Sequence, residues 1–382
     1  MEMTKLEKRI VDFIMDHMVL IAFLLVSVFG VLARLPMRDF PSGDALSCLL
    51  PWYDEISCKG LKVAVGNYNF PYQFVIYLMT KVPIEPLYAY KLLSSLFDYL
   101  LAGVCALIVY GCTGQKRFSL FAYCAVLLSP VVVLNSALWA QCDSIYVFFS
   151  MCGLYLLMKD RSFFAMCCFG MSLAFKLQAV FVFPALIMLY LMTKKFSIAN
   201  FLMIPLTMIV ISLPMVHWGR SLTELFEVYF GQTKTYPQIA INYPSLYSLI
   251  GGDSYWMLKR YAILFTITAL GLLLVYLSSQ KIEMTKKNMV ILLFLSAFTC
   301  VLLLPAMHER YGYAYEILAW ILVFLVPKTA PLCIGLQLLS MQTYSQYLFQ
   351  TEINLTALGY ANIAIYFLYL YILLREMKQE SR

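Results

Sequence analysis

Long apolar runs alternate with short polar turns along the whole chain, and the turns carry most of the basic residues. A helix needs about 20 apolar residues to cross the hydrocarbon core of a bilayer. The pattern predicts a short amphipathic helix over residues 1–16, carrying Lys5, Lys8 and Arg9, followed by about twelve spans. These are 17–34, 86–110, 118–134, 143–158, 162–175, 179–193, 198–216, 260–279, 288–305, 314–326, 330–348 and 358–374. The runs over 143–158, 162–175, 179–193 and 314–326 are short for a span. Residues 35–85 and 217–257 hold too many polar residues and prolines to cross, and read as two long outer loops. In the first, Leu46–Trp52 and Phe70–Met79 suit short helices lying in the interface, where Trp52, Tyr53, Tyr68, Tyr72 and Tyr77 would sit well. In the second, GRSLTELFEVYF and INYPSLYSLIGG repeat that pattern of interfacial helix and turn.

Charge sets the orientation. Each expected inner turn holds a Lys or Arg: Lys116-Arg117, Lys159 to Arg161, Lys194-Lys195, Lys281 to Lys287, Lys328, and Arg375 to Arg382. By the positive-inside rule both termini are then cytoplasmic, in a multi-pass protein of the cell membrane. The first run ends in Arg34-Leu35-Pro36-Met37-Arg38, not in a small-residue cleavage site, and so reads as a retained span. The 382 residues are 62% hydrophobic and only 13% charged, against ~25% charged in soluble domains, so the fold class is an all-α polytopic membrane protein, one domain over 1–382. The net charge of +7 comes as small clusters at membrane edges, which argues for a lipid bilayer partner and against nucleic acid. Eleven cysteines are scattered without a CxxC pair, so neither a zinc site nor a redox motif is indicated. Cys48 and Cys58 share a polar loop, as a bridge or as two free thiols.

The candidate chemistry lies where polar residues break the apolar pattern. A charge at the bilayer centre costs at least ~2.5–3.5 kcal/mol, so such residues face a cavity, a partner or an interface. The first loop reads RDFPSGDALSCLLPWYDEI, and its Asp39 and Asp44 are either solvated loop acids or a general base. WAQCDSIY places Asp143 in the first turn of a helix, where an acid suits the dipole by ~0.3–1 kcal/mol. Its Trp139 and Gln141 add a ring and an amide able to hold a hydroxylated ligand. Lys176 of FKLQ either snorkels to the interface or binds phosphate as a point charge beside Gln178. HERYGY sets His308, Glu309 and Arg310 in a row, followed by Tyr311, as a phosphate site or as a salt-bridged turn; HExxH is absent. Lys91 and Asp98 share a helical face, as a polar pair or as partners to other helices. Asn354-Leu355-Thr356 fits a glycosylation sequon. The acids leave a divalent cation possible, but no spacing demands one and no other cofactor is called for.

Six segments in order, SGD…PWYDEI (Ser42 to Ile56), YNFPY (Tyr68 to Tyr72), NSALWAQCDSIY (Asn135 to Tyr146), FKLQAVFVFP (Phe175 to Pro184), NYPSLY (Asn242 to Tyr247) and LPAMHERY (Leu304 to Tyr311), carry a resemblance. The chain resembles the GT-C membrane glycosyltransferases, specifically bacterial proteins related to the GPI-anchor second mannosyltransferase. It is more weakly similar to the dolichyl-phosphate-glucose glucosyltransferases. It departs from that pattern at Ala140, where WGQ is usual, and in NYPSLY, a looser form of NAPNxY. The alanine is expected to narrow the turn without removing a functional group.

The resemblance implies a GT-C fold of about 12 transmembrane helices. It further implies transfer of a mannose-like or glucose-like hexose from a polyprenyl-phosphate-linked sugar to a glycan or glycolipid acceptor on the extracytoplasmic side, with inversion. Asp44 is then the base, with Asp39 as runner-up. His308 and Arg310 hold the donor phosphate, assisted by Lys176 and Gln178. Asp143, Gln141, Trp139, Glu309 and Tyr311 bind sugar or acceptor, or brace the first loop. Two other readings stand beside this one: a transporter or flippase for lipid-linked glycans, and a related glycan polymerase or ligase acting on a lipid diphosphate.

Overall fold

A computed structural model describes residues 3–235, 237–250 and 254–381. Met1, Glu2 and Arg382 of the two termini, and Tyr236, Gly251, Gly252 and Asp253 of the second long loop, lie outside the described residues. Among those described, every regular element is helical.

Among the described residues, six helices are long and apolar enough to cross a membrane: Met18–Met37, Pro86–Thr113, Ile198–His217, Tyr255–Ser279, Lys286–Leu303 and Leu355–Glu380. They match six of the expected spans. The expected span 118–134 is a pair of helices, Lys116–Leu127 and Pro130–Leu138, bent by 46°. Pro130 explains the break, since it lacks the N–H a continuing helix would use. The four runs that read as short are the short apolar helices Asp143–Leu157, Ser162–Phe175, Leu177–Thr193 and Tyr313–Leu325. The remaining segment, the eleventh in order, is the helix Ala330–Phe349, whose MQTYSQY stretch interrupts the sustained apolar run that the six have.

Local signals account for the boundaries. Thr4 and Glu7 close a capping box at the start of Lys5–Asp16, with Thr4 N–H donating to Glu7 Oε2 at 2.6 Å and Glu7 N–H to Thr4 Oγ1 at 3.2 Å. Glu85 caps the helix Pro86–Thr113 by accepting from Tyr88 N–H at 3.0 Å, and that helix stops at Gly114 in the left-handed region. Asn354 caps Leu355–Glu380, its side chain accepting from Ala357 N–H at 3.0 Å, so the sequon asparagine serves as a helix cap.

Burial ranks the helices. Lys286–Leu303 is apolar all round and almost wholly enclosed, so it forms the centre of the bundle. Met18–Met37 exposes most of its apolar surface, as a lipid-facing helix would. Two of the basic stretches meet. Lys287 pairs with Glu376 at 3.3 Å and Glu380 at 2.7 Å, and Glu283 N–H donates to Ser381 Oγ at 3.0 Å. The polar motifs gather at another place, described next. Lys91 and Asp98 are not partners of one another. Lys91 Nζ donates to the carbonyls of Met37, Arg38 and Phe40 at 2.6–3.0 Å, pinning the start of the first loop. Asp98 pairs with Arg34 at 2.7 Å. Cys48 and Cys58 are both free thiols.

Candidate functional site

The site begins with Ser42. Its hydroxyl donates to the carbonyl of Trp139 at 2.8 Å and accepts from Ala45 N–H at 3.1 Å. One residue thus starts the helical turn that carries Asp44 and ties it to the WAQCDS turn. The turn that follows Asp44 (Ala45–Leu49) is π-helical, as is the turn Leu134–Leu138 that delivers Trp139. Such wide turns re-aim side chains and recur at functional sites. Ala140 sits at φ 64°, in the left-handed region. A glycine would adopt this freely, whereas an alanine costs ~1 kcal/mol there. The departure from WGQ therefore costs backbone strain and no functional group, because Trp139 and Gln141 still both turn toward Asp44.

Four donors converge on Asp44. Trp139 Nε1 reaches Oδ2 at 3.0 Å, Gln141 Nε2 at 2.6 Å and Arg310 at 3.4 Å, while the Tyr347 hydroxyl donates to Oδ1. The side chain keeps 20% of its surface exposed. Arg310 is a hub. It lies 3.8 Å from Asp143 Oδ2, 3.5 Å from Glu309 Oε1, and 5.3 Å from the centre of the Trp139 ring.

Lys176 does not snorkel. The helix Ser162–Phe175 ends there, the backbone of Lys176 becomes extended, and the side chain turns inward to pair with Asp143. Asp143 is wholly buried at the first turn of its helix and also accepts from Asn135 Nδ2 at 2.9 Å. It lies behind the pocket wall, where it holds Lys176. Its place is consistent with bracing and not with touching a ligand. The Lys176 ammonium faces the Tyr68 ring at 5.7 Å, and Tyr68 in turn donates to Gln141 Oε1 at 3.3 Å.

The site carries three acids, Asp44, Asp143 and Glu309, against Arg310 and Lys176. Glu309 is 1% exposed, and its burial pushes the carboxyl upward toward its neutral form. Burial and the nearby Arg310 push His308 down to about 4, so the imidazole is uncharged at neutral pH. His308 can hydrogen-bond a phosphate but adds no positive charge in this arrangement, and its side chain does not line the pocket. Arg310 Nε and Gln178 Oε1 are buried without a hydrogen-bond partner inside the protein.

Asp44, Gln141, Lys176, Gln178, Arg310 and Tyr311 line a polar pocket of about 100 Å³, completed by Cys48, Asn67 and Tyr68. Gln178, Gln232 and Tyr311 also line a mostly apolar groove of about 310 Å³, walled by Leu177, Val180, Phe181, Ile263 and Leu304. The groove thus joins the pocket to the membrane-length helix Tyr255–Ser279. Asp39 stands apart from both. It is 64% exposed, pairs with Arg38 at 3.2 Å and accepts from Tyr88, which leaves Asp44 as the first-loop acid in the pocket. Among the described residues, no group of three His, Cys, Asp or Glu side chains is placed to hold a metal ion; the site acids face Arg310 and Lys176 instead.

Tyr347 is a contributor that sequence reading passed over, and Tyr68, expected in the interface, lines the pocket. A signal existed for the first: MQTYSQY is unusually polar for a membrane helix. No family model matches this chain, and no curated protein matches it either.

Proposed function

We propose that this protein is a hexosyltransferase of GT-C architecture that uses a polyprenyl-phosphate sugar. All twelve predicted segments then cross or line the bilayer, with both termini cytoplasmic and the pocket extracytoplasmic. The observation that carries the reading is the junction of two environments: a pocket with one presented carboxylate and two cations opens into an apolar groove beside a membrane-length helix. A donor with a sugar, one phosphate and an isoprenoid chain has those three parts in that order.

The chemistry follows from the leaving group. A sugar already esterified to phosphate needs no acid to expel it, so one base suffices. The acceptor hydroxyl gives its proton to Asp44, its oxygen forms a bond to the anomeric carbon, and the carbon–oxygen bond to phosphate breaks. The electron pair of that bond leaves on the polyprenyl phosphate, with inversion at carbon. Arg310, Lys176 and Gln178 supply the charge and hydrogen bonds that stabilise the departing phosphate. His308, uncharged and outside the pocket wall, takes no direct part in this step. Arg310 leaning from Asp44 toward a bound phosphate would also free the carboxylate to act as a base.

The test is Asp44→Asn in purified protein, supplied with polyprenyl-phosphate-linked mannose or glucose and a membrane extract as acceptor. The expected result is a loss of transfer of about 10²–10⁴-fold, with the unfolding temperature nearly unchanged. Full transfer by a folded Asp44→Asn protein removes Asp44 from the mechanism.

A further inference from the structure

Asp44 is held asymmetrically. Trp139, Gln141 and Arg310 all point at Oδ2, at 3.0, 2.6 and 3.4 Å, while Oδ1 receives only the Tyr347 hydroxyl. A carboxylate offers about two lone-pair sites on each oxygen. Oδ2 is therefore fully subscribed, and Oδ1 keeps one lone pair open. Tyr347 comes from the helix Ala330–Phe349, remote in sequence from the first loop, and its ring stacks on Trp139 with centroids 4.6 Å apart and planes 19° apart. Tyr344, one turn earlier, meets the same indole edge-on at 5.1 Å. The pair fixes the indole whose N–H holds Oδ2.

We infer that Tyr347 is a positioning residue that makes Oδ1 of Asp44 the proton-accepting oxygen and marks the acceptor's side of the site. The inference rests on the transferase reading. It has a geometric consequence: the phosphate-binding Arg310 lies at the Oδ2 edge and Tyr347 at the Oδ1 edge. Inversion requires the incoming oxygen and the leaving phosphate on opposite faces of the anomeric carbon. The two edges of one carboxylate separate them in that sense. The acceptor proton moves to the open lone pair of Oδ1, and the acceptor's freed electron pair forms the new bond to carbon as the bond to phosphate breaks.

Tyr347→Phe keeps the stacked ring and removes only the donor. The other charged or titratable groups around Asp44 are Arg310, Glu309 and His308, with Lys176, Cys48, Tyr68 and Tyr311 in the same pocket and Asp143 behind Arg310, and all stay in place. A donated hydrogen bond favours the charged form of a carboxylate, so its loss makes protonation easier. In the protein held in lipid nanodiscs, the acid limb of the pH–rate profile should move up by about half to one unit, with the acceptor KM raised and the donor KM unchanged. Infrared difference spectra, wild type minus Asp44→Asn, isolate the carboxylate band without any substrate. In the Tyr347→Phe background that band should disappear at a correspondingly higher pH. Tyr344→Phe, which also keeps its ring on Trp139, should leave both readouts in place. An acid limb and an infrared titration that both stay put in Tyr347→Phe overturn the inference, as does an equal shift in Tyr344→Phe. A band shifted in Tyr347→Phe, beside a wild type that transfers no sugar, overturns the transferase reading and leaves the Tyr347–Asp44 coupling standing.

Discussion

Two arginine–aspartate pairs show how differently this fold uses the same chemistry. Arg34 and Asp98 meet at 2.7 Å and are 7% and 0% exposed. Arg34 also donates to the carbonyls of Gly30 and Leu127, and Asp98 accepts from Ser136. Arg310 and Asp44 meet at 3.4 Å and stay 17% and 20% exposed on a pocket. The first pair joins the lipid-facing helix Met18–Arg34 to the helix Pro86–Thr113; its carboxylate is wholly buried, and only the edge of Arg34 reaches an apolar groove walled by Leu92, Leu96 and Tyr99. The second is loose, shared among three acids, and open to a ligand. A buried pair reports on assembly, whereas a loose and shared one reports on chemistry.

The largest expected effect breaks the buried pair. Asp98→Ala leaves a buried guanidinium uncompensated and should cost about 3–5 kcal/mol, read as lost thermal stability in detergent. Combining Arg34→Met with Asp98→Leu should restore most of it, because a packed apolar pair avoids desolvation altogether. If Asp98→Ala unfolds at the wild-type temperature, the contrast between the two pairs fails. A smaller effect sharpens the open site. His308 titrates at about 4 in the fold against about 6.5 when free. Between those values the unfolded chain binds the additional proton, so stability should fall as pH drops from about 6.5 to about 4. In His308→Gln that part of the decline should vanish, and an unchanged melting curve at each pH would contradict the assigned neutrality. The smallest effect concerns Asp39, which is exposed and paired only at the surface. Asp39→Asn should leave sugar transfer within about two-fold of wild type. A loss as deep as that expected of Asp44→Asn would return the base to the earlier residue of the loop.

Much of the architecture was legible because membrane insertion depends on one-dimensional properties. Run length and the placement of Lys and Arg located the helices, including those too short for a simple span. The acid of the first loop, the FKLQ lysine and the HERY arginine were legible as outliers, since hydrocarbon tolerates few charges. Their partners were not. Nothing local couples Lys176 to Asp143 or excludes snorkelling, and nothing local separates exposed Asp39 from pocket-lining Asp44. Lys91 and Asp98 share a helical face by periodicity, yet each bonds elsewhere: Lys91 to loop carbonyls and Asp98 to Arg34. Tyr347 lies some 300 positions from the residue it touches, a separation of 303, and no pattern spans that distance.

The sequence by itself determined that this is an all-helical, multi-pass membrane protein, and which few polar residues had to be explained. Those follow from composition and periodicity, which are properties of each segment alone. Only the tertiary structure decided which carboxylate faces the pocket, which is walled in, and which oxygen of Asp44 keeps a lone pair. Those outcomes depend on how many donors and how much apolar surface other helices bring within a few ångströms. That count exists only once the bundle has packed.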